Sequence, residues 1–440
     1  MKRIILTLLT TLLFFAGARA QMRLTLDEAL RLALSDNPTI RIAEMEVERY
    51  DYVKRQTWGN LLPQVSVKGQ LNHTFIKQNM SKGFSLGGDQ YNTITGAVEA
   101  TMPLFAPSVY RTLKMNRTQM EAAVEQARTT RIGLIAEVRK SFYNILLAEQ
   151  SLAVLKESEA TIQRTVDDTQ VQYKNGLASE YDLLTARVQL SNLKPTIIQT
   201  QNSIKVAKRL LKMHLSIPEE VEIEVEGALD ALRQEVLSGT DGLSADVSQN
   251  SELKNLEIQE EILTRQIKVA NASRLPSIAL FGNFSLSGNN MGTFDMKNMN
   301  VVQDGYYWQN PLYAGVSVSI PIFGGLTKMN KSRELKNRLK QISLQRAYTE
   351  DRVDVEVRSA LNDLMTARET MFAQELAVEQ ARKAYSISDT RYRAGAGTIL
   401  ELNSAQLSQT QAQLNFSQAI FNYLTAKAEY DRITGHEELN

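Results

Sequence analysis

The chain has 440 residues, and its 50 Lys and Arg nearly cancel its 49 Asp and Glu. Without a basic excess, nucleic acid is not an expected partner, because tracking phosphates needs a basic stripe. Cysteine is absent, which excludes disulfides, thiolate metal sites, a cysteine nucleophile and lipid attachment at an N-terminal Cys.

Lys2-Arg3, the apolar run Ile4 to Ala16 and then Ala18-Arg19-Ala20 give residues 1–20 the three-part form of a secretory signal peptide. A membrane-anchoring helix is the competing reading, but the run is short for a span and an A-x-A site closes it. No later stretch reaches the ~18 uninterrupted apolar residues of a spanning helix. An exported chain is expected.

A first repeat is expected over 21–217, opening on a helix. After Leu62-Pro63, Val65, Val67, Gly69, Leu71, His73 and Phe75 alternate with Gln64, Ser66, Lys68, Gln70, Asn72 and Thr74. A second stretch alternates Ile94, Gly96, Val98, Ala100 and Met102 with Thr93, Thr95, Ala97, Glu99 and Thr101. Together they read as a hairpin over 64–103 that leaves through Pro103-Leu104-Phe105. A helix over 106–173 follows, about 100 Å long at ~1.5 Å per residue. From Leu134, Val138, Ser141 and Ile145 onward its apolar and small residues keep steps of four and three, a coiled-coil period. The chain reverses at Gly176, where Gly suits the residue after a helix, and a return helix is expected over 179–214.

Residues 218–245 join the repeats. Glu222 to Glu226 alternates as a short strand does, and Gly239 to Gly242 reads as a turn. The second repeat, 246–434, restates the order: a helix, a hairpin over 277–321 leaving through Pro321-Ile322-Phe323, a long helix over 324–392, a reversal at Gly395-Ala396-Gly397 and a return helix over 399–433. A tail, 435–440, ends the chain. Tyr173-Lys174-Asn175-Gly176 is answered by Tyr392-Arg393-Ala394-Gly395 at a spacing of 219 residues, and Asn37 by Asn250 at 213. Units this long exceed the ~20–50 residues of solenoid repeats, so two copies about a pseudo-symmetry axis are expected.

The four alternating stretches approach the ~9–11 residues with which a tilted strand crosses a bilayer, one face apolar and one polar. Two soluble hairpins packed on a helix would share that period. Two details favour the membrane. The sequence offers no second apolar sheet to cover these faces, and the connections near 76–92 and 288–312 are long and polar, as outward barrel loops are. Tyr306, Tyr307, Trp308 and Tyr313 are candidates for an aromatic girdle, or for a plain loop cluster. Spanning barrels need about eight strands, and an open edge in lipid costs several kcal/mol per unpaired group. Chains must therefore pool their strands.

Signal peptide, "LP" hairpin, P-[LI]-F exit, very long helix, Tyr-x-x-Gly turn and return helix, given twice, resemble the TolC-like outer-membrane efflux proteins of Gram-negative bacteria. The resemblance covers essentially the whole mature chain. It implies a mainly α fold with a β-barrel part: a homotrimer whose chains each give four strands to a twelve-stranded barrel in outer-membrane lipid, with long antiparallel helices forming a periplasmic tunnel. It further implies docking with a periplasmic adaptor protein and an inner-membrane transporter, passive passage, no cofactor and no catalysis. By position, Glu401 and Asp182 match acids that ring the tunnel tip in relatives, while Ser404 and Gly397 replace a second acid and a latching arginine. Asn175, Gly176 and Leu177, with Ala394, Gly395 and Ala396, match the turns that meet the adaptor.

For the two acids the plainer reading is a carboxylate favoured at a helix start by the dipole. Lys328, Lys331, Arg333, Lys336, Arg338 and Lys340, echoed by Arg111, Lys114 and Arg117, are either a solvated face or a cluster drawn to headgroups. His73, His214 and His436 lack metal-ligand spacing, and no phosphate loop or nucleophile motif is present. The runner-up to an export duct is an exported coiled-coil scaffold or adhesin whose hairpins pair with a partner instead of lipid.

Overall fold

The computed structural model describes residues 22–73, 75, 92–233, 243–289, 293–295, 300–302 and 306–437. The expected leader over 1–20, nearly all of the 76–92 connection, parts of 288–312 and the Gly239 to Gly242 turn lie outside them. The first repeat runs β1 (Met22–Leu24), α1 (Leu26–Asp36), α2 (Pro38–Gly59), β2 (Gln64–His73), β3 (Asn92–Phe105), α3 (Pro107–Lys174) and α4 (Glu180–Leu215). After β4 (Ile223–Val225) come α5 (Ser251–Ala272), β5 (Ser277–Asn289), β6 (Thr293–Asp295), β7 (Asn300–Val302), β8 (Tyr307–Gln309), β9 (Leu312–Ser319), α6 (Thr327–Arg393) and α7 (Ile399–Thr434).

The described residues fall into two compact units. The first holds 22–45, 124–255 and 347–437. Its main core draws on both repeats: Leu30 of α1, Val138, Phe142 and Ile145 of α3, Leu211 of α4, Leu364 and Met371 of α6, and Ile420 and Tyr423 of α7. The four-three seam is the face that packs. Leu134, Val138, Ser141, Ile145, Leu155, Ile162, Val166 and Thr169 are buried on α3. On α6, Val353, Val357, Ala360, Leu364 and Met371 are buried, and the seam from Gln374 to Tyr392 is half-buried. The short strand β4 has a partner too brief to show its own alternation: β1 pairs with it in parallel, Leu24 opposite Val225.

The matched asparagines explain their own repetition. Asn37 Nδ2 donates to the His214 carbonyl in the last turn of α4 at 2.6 Å, while its Oδ1 accepts from the Thr39 N–H at 2.8 Å. Asn250 Nδ2 donates to the Ile433 carbonyl in the last turn of α7 at 2.7 Å, and its Oδ1 accepts from the Leu253 N–H at 3.0 Å. Each buried amide thus ties the start of a repeat to its end, satisfying a helix-terminal carbonyl that lacks a partner in its own helix.

The second unit holds 46–123 and 256–346. Here β2, β3, β5 and β9 form one antiparallel sheet in that order, so the two hairpins join through β3 and β5. β8 also pairs with β5, beyond the start of β9. Between β8 and β9 stands Pro311, which has no N–H for the ladder, although its carbonyl accepts from the Ser285 N–H at 3.1 Å. β6 and β7 pair with each other inside a connection that the sequence presents only as polar.

Candidate functional site

In the sheet, register turns alternation along each strand into a continuous face. Val67, Val98, Phe284 and Leu312 form one row across the four strands, and Val65, Ala100, Gly282 and Ala314 the next. Met102, Leu280 and Val316 extend it. These aliphatic side chains meet solvent: Val67 is 79% and Val316 58% exposed. The opposite face is polar, with Lys68 Nζ on Glu99 Oε2 at 2.5 Å and Gln70 Nε2 donating to Asn72 Oδ1 at 2.8 Å. Among the described residues β2 pairs only with β3 and β9 only with β5, so both edges are open. No described helix is long and apolar enough to cross a membrane.

The aromatic cluster divides between the faces. Trp308 pairs with Gly288 on the apolar face, where a Cβ on Gly288 would meet the indole at 2.9 Å, and its ring lies 6.0 Å from that of Tyr306. Tyr313 pairs with Asn283 on the polar face and meets Phe281 edge-on at 6.3 Å. A girdle containing both Trp308 and Tyr313 is therefore ruled out by the two-residue period of the strand.

The two exits, alike in sequence, differ in structure. Pro103 and Phe105 remain in β3, with a register shift between them, and only Ala106 separates the strand from α3. The partner β2 begins opposite Thr101, so Pro103 has a neighbour on one side only and its missing N–H leaves no acceptor stranded. In the second copy β9 ends at Ser319, and Pro321 and Phe323 lie in the irregular segment 320–326. Gly325 and Leu326 there take φ of +62° and +63°, a left-handed pair that breaks the path to α6.

In the helical unit, both reversals are built alike. The Leu177 N–H donates to the Gln172 carbonyl at 2.8 Å and the Gly176 N–H to that of Tyr173 at 2.9 Å. The Ala396 N–H donates to Arg391 at 2.9 Å and the Gly395 N–H to Tyr392 at 3.0 Å. Gly176 and Gly395 carry φ of +74° and +72°. These are Schellman closures, which satisfy the last carbonyls of α3 and α6. Asn175, Gly176 and Leu177, and Ala394, Gly395 and Ala396, are all exposed. A Cβ on Gly397 would come within 3.2 Å of the Tyr392 nitrogen, so this tight turn has little room for a side chain.

Three residues past each glycine a capping box starts the return helix. Ser179 Oγ accepts from the Asp182 N–H at 3.2 Å, and Asp182 Oδ2 accepts from the Ser179 N–H at 2.9 Å. Thr398 and Glu401 repeat the exchange at 3.2 and 3.4 Å. The structure thus places both sequence-selected acids in a helix cap, a role readable from Ser-x-x-Asp and Thr-x-x-Glu. Glu401 also lies 4.0 Å from Arg391. Sequence reasoning missed the tie between the ends of α3 and α6: Thr169 Oγ1 and Tyr392 OH share a hydrogen bond of 2.9 Å. Ile162, Val166, Leu183, Ala186, Ile399 and Leu402 pack beside it.

A profile of the outer membrane efflux protein family matches residues 29–214 and 243–436. The outer membrane protein TolC of Vibrio cholerae serotype O1 is 22% identical over 368 residues, 81% of each chain. The toluene efflux pump outer membrane protein TtgC of Pseudomonas putida is 24% identical over 406 residues, covering 88% of this chain and 78% of its own. In fold, the solved structure of the transmembrane channel CusC superposes with a TM-score of 0.75 at 19% identity, covering 93% of this chain and 91% of that one.

Proposed function

The chain belongs to the outer membrane efflux protein family, and from that premise we propose that three copies pool their strands into a twelve-stranded barrel joined to a periplasmic helical tunnel. It is an outer-membrane channel for efflux or secretion. The observation that carries the barrel reading is the apolar face running across four strands between two open edges. One copy leaves its hydrocarbon in water and its edge N–H and C=O groups unpaired; closure with like sheets in lipid relieves both at once. The polar face then lines a wet lumen.

At the other functional region, Asp182 and Glu401 set six carboxylates per trimer near the tip, a ring that repels itself, holds cations and favours cationic cargo. The exposed turns Asn175-Gly176-Leu177 and Ala394-Gly395-Ala396 offer a periplasmic adaptor small or apolar side chains and one amide, on turns held by Schellman bonds. An inner-membrane transporter behind the adaptor supplies the driving force and selects the cargo, and the channel itself catalyses nothing. The test is direct. The mature chain, purified in detergent, should have the mass of three copies and give stepwise conductance in planar bilayers. A monomer stable in plain buffer, without conductance, overturns the reading.

A further inference from the structure

We propose that a hollow between α2 and α3 holds the phosphate of an anionic phospholipid from the leaflet on the helical side of the barrel; this rests on the barrel reading above. The hollow, about 370 Å³, is lined by Lys54, Arg55, Trp58, Leu113, Lys114 and Arg117. Its walls are fixed from below. The buried Asn116 Nδ2 donates to Thr57 Oγ1 at 2.6 Å, which clamps α3 against the last turns of α2 and so sets Trp58 beside Leu113. The rim is positive. Asp51 takes Arg55 at 2.7 Å and Lys54 at 3.9 Å, Glu121 takes Arg117 at 3.5 Å, and two acids against four cations leave a net excess.

Position selects the occupant. Trp58 lies just before β2 and Leu113 just after β3, at the end of the sheet where both strands pass into helices. Leu113 and Lys114 are about 10 Å along α3 from its start, just past a headgroup layer about 5–8 Å thick on each side of the hydrocarbon, a gap that a long cationic side chain spans. Lys and Arg side chains reach toward that layer while their stems lie on apolar surface, and an indole at the same depth is at home. Phe105, exposed at the end of β3 and paired with Ile278, extends the apolar rows toward this end of the sheet, where Leu62 and Trp58 are also exposed. An acyl chain lying on those rows brings its phosphate to the cations.

The experiment uses the full mature chain in detergent and native mass spectrometry, with dioleoyl phosphatidylglycerol or dioleoyl phosphatidylcholine added. Each cation beside an anionic lipid is worth about fivefold in partitioning. The wild type should therefore retain phosphatidylglycerol over phosphatidylcholine, and the double variant Lys114→Gln/Arg117→Gln should lower that preference at least about fivefold. Its trimer mass and conductance should stay as in the wild type, which separates loss of this site from failure of the channel reading. Should that variant not assemble, Lys54→Gln/Arg55→Gln reads the same loss from the α2 wall. Equal retention of the two lipids, or a preference unchanged by substitution, overturns the proposal and leaves the rim to an acidic protein segment.

Discussion

Glu401 and Asp182 each close a helix start, and in the proposed channel the same carboxylate also charges a rim; one substitution separates the two demands. Glutamine serves a capping box nearly as well as glutamate, so Glu401→Gln removes the charge and keeps the cap. Glu401→Gln with Asp182→Asn should lower the cation-to-anion permeability ratio in planar bilayers, with the denaturation midpoint changed by no more than the equivalent of about 0.5 kcal/mol. Unchanged selectivity would reduce both acids to caps. The site was half legible at this scale. The glycines announced the reversals because only glycine takes φ near +70° without strain. The Thr169–Tyr392 bond was hidden, because it joins side chains from two repeats more than 200 residues apart in sequence.

Among the elements, the two long helices were legible because a 3.5-residue period free of interior proline has few other uses, and the strands because their period is two; the return helix α4 runs on through Pro195. β1 was not, since three residues cannot display a period. The buried asparagines were visible as a matched pair but silent as to purpose: the carbonyls they tie belong to the far ends of their repeats. Replacing Asn37 or Asn250 by Ala leaves a helix-terminal carbonyl and an N–H, buried or part-buried, without partners, a loss of about 1 kcal/mol or more each. Both variants should unfold at lower denaturant concentration, and the double variant should sum the two effects, because the pairs share no partner. A midpoint unmoved by Asn250→Ala would show that water replaces the amide.

For the whole molecule, the decisive property is the apolar sheet face that the chain leaves uncovered, and it was legible because the alternation runs to membrane length. What the sequence could not show is that pairing with β5 resumes past Pro311 in an unbroken register, which puts Trp308 on the apolar face and Tyr313 on the polar one. A charge tests the assignment. Val98→Lys, at the centre of the apolar rows, should cost about 2–4 kcal/mol near the bilayer midplane and deplete assembled protein in the outer-membrane fraction. Thr95→Lys, on the polar face opposite Gln70 and Ser287, should assemble normally. The reverse pattern would turn the sheet inside out.

The unequal exits give the two strand-to-helix junctions different mechanical characters. A single alanine links β3 to α3, whereas seven residues, two of them left-handed, stand between β9 and α6. In the proposed ring of three copies, rigid shoulders would alternate with swivels, and torque reaching the strand ends would be absorbed at every second junction.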